Sequence, residues 1–119
     1  MSKSVLINSV KLGGAAGIEL KNRVVLAPLT RARSGRSQVP NDANVLYYTQ
    51  RASAGLIITE GAIMSMQAMG WQGAPGIYTP EHVAGWKKVT ESVHSKGGKI
   101  FCQLWHLVTT ISLPHSLII

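Results

Sequence analysis

The chain reads as an α/β protein built on parallel strands joined by helices, and three observations carry that assignment. The segments Ala27-Pro28-Leu29-Thr30, Thr59-Glu60-Gly61 and Gln103-Leu104-Trp105-His106 each follow an apolar run of strand composition. Helix-like stretches separate those runs, so the chain alternates strand, helix, strand, helix, strand. Right-handed crossovers then bring all three strand ends to one face of the sheet, where folds of this kind place a cofactor.

The elements follow in order. Between residues 5 and 20, strand-like pieces around Lys11-Leu12-Gly13-Gly14 and Gly17-Ile18-Glu19-Leu20 predict a hairpin, with glycines at the turn. Val24-Val25-Leu26-Ala27 is a continuous apolar run expected of a strand buried on both faces, and Pro28 ends it. Arg31 to Pro40 has loop composition. Asn41 or Asp42 caps a helix to about Ser53, with Val45, Leu46, Thr49 and Ala52 on its apolar stripe. Leu56-Ile57-Ile58-Thr59 is the second buried strand, followed by a long loop through Gly70, Gly73, Pro75 and Gly76.

The next helix is the most clearly marked. Thr79 offers an N-cap oxygen, Pro80 takes the first helical position and Glu81 complements the positive end of the dipole. Val83, Trp86, Val89 and Val93 form its apolar face, Lys87, Lys88 and Glu91 stay exposed, and Lys96-Gly97-Gly98 closes it. Trp86 is read as helix-to-sheet packing and His94 as a surface residue near the negative dipole end. Ile100-Phe101-Cys102-Gln103-Leu104-Trp105 is the third strand.

Composition narrows the classes of function. Twelve Lys and Arg against five acidic residues give a formal charge of +7, but the basic residues are scattered with no run longer than two. A solvated surface accounts for that scatter, so no specific nucleic-acid partner is expected. The single cysteine, Cys102, lies within an apolar run and is expected to be a small core residue, with a reducing, cytoplasmic compartment as the default. Met1-Ser2-Lys3-Ser4 does not lead into an apolar signal, and no run approaches the roughly 20 residues of a membrane span. Neither a membrane partner nor a metal site is expected.

Longer strings carry a resemblance. Leu20-Lys21-Asn22-Arg23-Val24-Val25-Leu26-Ala27-Pro28-Leu29-Thr30-Arg31 is followed by Tyr47-Tyr48-Thr49-Gln50-Arg51-Ala52-Ser53-Ala54-Gly55-Leu56-Ile57-Ile58-Thr59-Glu60. Gly73-Ala74-Pro75-Gly76-Ile77-Tyr78, Ala84-Gly85-Trp86-Lys87-Lys88-Val89 and Gln103-Leu104-Trp105-His106 continue the order. Over about residues 5–107 the chain resembles the amino-terminal part of the old yellow enzyme family. The resemblance implies part of a (β/α)8 TIM barrel, of which a chain of 119 residues supplies roughly half of the ~250 needed. It also implies FMN as cofactor, NAD(P)H as hydride donor and enones as the small-molecule substrates whose activated C=C bonds are reduced.

The resemblance assigns site residues. Pro28, Leu29, Thr30, Gly61 and Gln103 become flavin-binding residues, and Trp71 and Trp105 shape the substrate pocket. A flavin presents a polar pyrimidine edge with acceptor oxygens and an N–H, which a primary amide such as Gln103 matches by donating and accepting at once. Thr30 matches the family threonine whose hydroxyl bonds the flavin carbonyl near its reactive nitrogen, and His106 resembles a structural histidine. Taken alone, Pro28 would simply end a strand, Gly61 turn the chain and Thr30 cap a local turn.

In the family, the residues that hold the FMN phosphate, grip the substrate carbonyl and donate a proton come from later strands, so no catalytic residue is assigned within this chain. The pattern breaks after Leu107, dividing residues 1–107, the amino-terminal part of the barrel, from a divergent apolar tail, 108–119. Three outcomes follow. One is a truncated ene-reductase with little or no activity alone, the second a half-barrel completed by a partner chain, and the third a non-enzymatic binding or regulatory fragment. For the chain alone, open sheet edges make self-association or partial disorder the expectation.

Overall fold

A computed structural model describes residues 4–107; the tail expected at 108–119 lies outside the described residues. Two short strands, β1 (Val10–Leu12) and β2 (Ile18–Leu20), pair antiparallel as the expected hairpin, with Val10 opposite Leu20. Three further strands, β3 (Val25–Leu26), β4 (Leu56–Ile63) and β5 (Ile100–Trp105), form a parallel sheet in the order β3-β4-β5. Helices α1 (Asp42–Thr49) and α2 (Pro80–Ser95) make the two crossovers. This is an open α/β arrangement, a segment of a barrel wall with no closure among the described residues.

One core joins helices to sheet. Tyr48 and Ala52 meet Ile57 and Ala62 of β4 and Trp86, Val89 and Val93 of α2, all buried. Removing that much apolar surface from water is what holds two helices against three strands. Two polar ties add direction. The Trp86 indole donates to the Gly76 carbonyl at 2.9 Å, and the Thr49 and Ser92 hydroxyls meet at 2.7 Å between the helices.

The hairpin is anchored from below. Lys21 donates to the Ala52 carbonyl at 2.6 Å, and Asn22 donates to the Ser53 carbonyl at 2.9 Å. Both contacts tie the end of β2 to the turn after α1.

Several expectations are corrected. The strand expected over residues 24–27 shrinks to Val25–Leu26 and is not buried on both faces, because β3 lies at the sheet edge with Val25 46% exposed. The second strand runs on to Ile63, so Thr59-Glu60-Gly61 lies within it and not beyond its end. Helix α1 stops at Thr49, four residues early, as Arg51 and Ala52 donate to carbonyls three residues back and tighten the chain into a turn.

Its buried face also differs. Asn44 and Tyr48 point inward while Leu46 is 59% exposed, since polar groups of α1 have partners in the sheet that an apolar stripe does not reveal. On α2 the Thr79 cap, Pro80, Trp86, Val89 and Val93 stand as expected, but Val83 is exposed and His82 is buried in its place. The His82 ring packs against Gly76 and its Nε2 lies 3.1 Å from the Ser37 carbonyl. His94 is exposed in the last turn, and Gly97 follows the cap with φ 68°, a left-handed conformation suited to glycine. Cys102 is exposed, not a core residue, because β5 is the other edge of the described sheet.

Candidate functional site

The candidate site lies where the carboxyl ends of β3, β4 and β5 meet, and a bulge in the central strand organises it. Ile58 pairs with Phe101, yet the next pairing is Gly61 with Gln103, so β4 spends one more residue than β5 in that interval. A bulge of this kind re-aims side chains. Ile57 before it and Ala62 after it both face the helices, which unbroken alternation would forbid for residues five apart.

Glu60 also turns toward the helices. Although 1% exposed, its carboxylate accepts from four donors. Oε2 takes the backbone N–H groups of Arg31 and Ala32 at 2.9 and 3.0 Å, and Oε1 takes Asn44 Nδ2 at 3.4 Å and the Tyr48 hydroxyl at 3.3 Å. The same Tyr48 oxygen accepts from the Glu60 N–H at 2.8 Å. Burial pushes the Tyr48 phenol far above its ordinary range, so it remains a neutral donor. Asn44 extends the network, its Oδ1 accepting from the Asn41 N–H at 3.0 Å and from the Ser34 hydroxyl at 3.3 Å.

The expected flavin-binding residues fall around this hub. Pro28, Leu29 and Thr30 follow β3 in irregular structure, are exposed, and lead directly into the two amides that Glu60 holds. The Thr30 hydroxyl makes no hydrogen bond among the described residues. Gln103 sits on β5 beside Gly61, its N–H donating to the buried Thr59 hydroxyl at 3.0 Å and its carboxamide exposed without a partner among the described residues. Gly61 has a specific steric reason: a Cβ built there would fall 2.8 Å from Trp105 Cγ and nearer still to the rest of the ring. Its missing side chain makes room for Trp105.

Trp105 is half-buried, two residues beyond Gln103 and on the same face of β5. Trp71 stands in the loop between β4 and α2, 50% exposed, and the described contacts do not bring it together with Trp105. The structure therefore gathers Thr30, Gly61, Gln103 and Trp105 through β4 and leaves Trp71 apart. Glu60, Asn44 and Tyr48 were not singled out as functional by sequence reasoning. The available signal was an acidic residue within an apolar strand, opposite a helix carrying Asn and Tyr four residues apart.

Comparison with known proteins agrees with this geometry. Residues 10–115 match the model of the NADH:flavin oxidoreductase / NADH oxidase family. The flavin oxidoreductase hxnT of Emericella nidulans is 50% identical over 107 residues, an overlap of 86% of this chain and 27% of the relative. The 12-oxophytodienoate reductase 2 of Arabidopsis thaliana is 47% identical over 103 residues, 86% of this chain and 26% of the relative. Among solved structures, the old yellow enzyme homologue from Zymomonas mobilis superposes with a TM-score of 0.79 at 46% identity, covering 85% of this chain and 28% of that one. Morphinone reductase in complex with tetrahydroNAD gives 0.80 at 48% identity, covering 87% and 28%. The chain thus spans about a quarter of the length of the relatives it matches.

Proposed function

Because this chain belongs to the NADH:flavin oxidoreductase / NADH oxidase family, we propose that residues 28–30, Gly61 and Gln103 form the ring-facing part of an FMN site in an ene-reductase acting on enones. The observation that supports it most is the pair of polar groups without partners among the described residues, the Gln103 carboxamide on β5 and the Thr30 hydroxyl in the loop after β3, on either side of β4 and its Gly61. Their chemistry fits the group: an amide that donates and accepts suits the flavin's pyrimidine edge, and a hydroxyl donor suits a ring carbonyl. FMN, when bound, supplies the carrier that passes a hydride from NAD(P)H to an activated C=C bond.

The chain's own residues bind and tune. Gln103 holds the polar edge. Thr30 donates a hydrogen bond that favours negative charge on the ring, which raises the potential at which the flavin is reduced. Pro28 and Leu29 pack beside the ring, Gly61 leaves space for Trp105, and Trp105 and Trp71 line the substrate side. In barrels of this type the phosphate site follows strands seven and eight, and the three parallel strands described here do not reach it. The 119-residue chain alone accordingly holds FMN weakly and has little or no activity.

The test is purification of the chain with excess FMN. Flavin is expected to separate on gel filtration, and stoichiometric retention with a shifted visible spectrum would overturn the weak-binding proposal. Joining the chain to the later strands of a relative tests the residue roles. There Gln103→Ala should weaken FMN retention by about 1–3 kcal/mol for lost polar pairing, while Thr30→Ala should keep the cofactor and lower its potential. Retention and potential both unchanged would remove the two residues from the site.

The open edges at β3 and β5, with Val25, Phe101 and Leu104 about half exposed, also support self-association of the chain alone. A single sharp monomer boundary in sedimentation velocity would count against it.

A further inference from the structure

We propose that the Thr59-Glu60 bulge of β4 is a two-armed positioning device, in which Glu60 fixes the backbone that presents Thr30 and Thr59 fixes the backbone that presents Gln103. The functional meaning of those two presentations rests on the flavin site proposed above; the geometry of the arms does not.

Glu60 is the first arm. A buried carboxylate is costly unless every acceptor site is used, and here two of its four donors are the consecutive amides that follow Thr30. Those two bonds hold the chain through a sharp turn, since Ala32 adopts φ 53°, a left-handed conformation that a residue with a Cβ disfavours. Asn44 and Tyr48 occupy the other oxygen, so the carboxylate cannot rotate to release the loop without breaking bonds to α1. Helix α1 is thereby coupled to the position of residues 28–30.

Thr59 is the second arm. The bulge interrupts the ladder between Ile58 and Gly61, and the Gln103 N–H bonds instead to Thr59 Oγ1 at 3.0 Å. That hydroxyl is itself oriented, donating to the Glu60 carbonyl at 2.7 Å. With its N–H pinned, Gln103 enters the face of the sheet at a set angle, and Trp105 seats on Gly61 two residues later. Adjacent residues of one strand thus set the spacing between Thr30 in the loop after β3 and Gln103 on β5.

Amide hydrogen exchange by NMR on the 119-residue chain tests this without flavin. Glu60→Gln keeps the shape but removes the negative charge and one acceptor oxygen, so in either orientation of the new amide the Arg31 and Ala32 N–H groups exchange a charged acceptor for a neutral one or for none. Exchange at Arg31 and Ala32 should rise about tenfold or more, and the three-bond couplings of Thr30 should move toward rotamer averaging, while Gln103 is unaffected. Thr59→Val should do the converse, raising exchange at Gln103 alone, and Thr59→Ser, which keeps the hydroxyl, should restore protection. Uniform acceleration of all amides, or no change at Arg31, Ala32 and Gln103, would overturn the proposal. If Glu60→Gln does not fold, the Thr59 pair still decides it: Val and Ser variants that behave alike would refute the second arm. A failure of the flavin reading would appear instead as unchanged cofactor retention in Gln103→Ala, with these exchange patterns intact.

Discussion

Gly61→Ala isolates one steric contact on which the candidate site depends. The backbone at Gly61 does not lie in the left-handed region, so it accepts alanine without strain of its own. The obstacle is Trp105. The added Cβ would fall 2.8 Å from Trp105 Cγ and closer still to Cδ2 and Cε3, whereas ordinary contact begins near 3.4 Å, so relieving the nearest contacts takes well over half an ångström and the indole must leave its seat. Overpacking of this kind costs about 1–3 kcal/mol, which for a domain near this size lowers Tm by about 4–12 °C. The assay is thermal unfolding combined with fluorine NMR of 5-fluorotryptophan, which gives separate signals for Trp71, Trp86 and Trp105. The expected result is a lower Tm with a shifted Trp105 resonance and an unmoved Trp86. In a Trp105→Ala background the same substitution should cost nothing, because its clash partner is gone. A Tm within about 1 °C of the parent together with an unchanged Trp105 signal would refute the reasoning, as would an equal loss in the Trp105→Ala background.

Three further outcomes follow. Trp86→Phe removes the bond to the Gly76 carbonyl and part of a buried ring, so urea unfolding should report a loss of about 1–3 kcal/mol. Thr79→Ala removes the side-chain acceptor for the His82 N–H and should cost about 1 kcal/mol, with faster amide exchange confined to the first turn of α2. Glu81 is held below its ordinary pKa by its own backbone N–H and by the Thr79 hydroxyl. Its contribution is therefore complete above the ordinary carboxylate value of 4.5 and is lost as pH falls through the lower folded value. Protection of the first-turn amides of α2 should drop across that acid window, and Glu81→Gln should abolish the pH dependence.

Much of the architecture was legible in the residues themselves because local chemistry dictates it. Thr79, Pro80, Glu81 and Lys96-Gly97 bracket α2 at both ends, and an apolar run ending at Trp105 coincides with β5. The glycines around residue 13 turn the hairpin. The ordered strings that resemble a flavoprotein family agree with the match over residues 10–115. These are properties of a few neighbouring residues, so they survive without knowledge of what packs where.

Burial and orientation did not survive in the same way, because they depend on partners distant in the chain. Val25, Val83 and Cys102 have core chemistry and are exposed, since the described sheet ends at β3 and β5 and the inward register of α2 selects His82. Asn44 and Tyr48 replace Leu46 on the inner face of α1 because Glu60, 12 residues beyond Tyr48, offers a buried carboxylate to both. The bulge was invisible to any count of alternating residues, as it exists only in the pairing of β4 with β5. Sequence alone determined the helix caps, the strand-forming runs and which amide and hydroxyl side chains fall near their ends. Only the tertiary structure decided that Glu60 meets the Arg31 and Ala32 amides and Thr59 the Gln103 amide, because a hydrogen bond between distant segments is a property of their pairing and not of either segment.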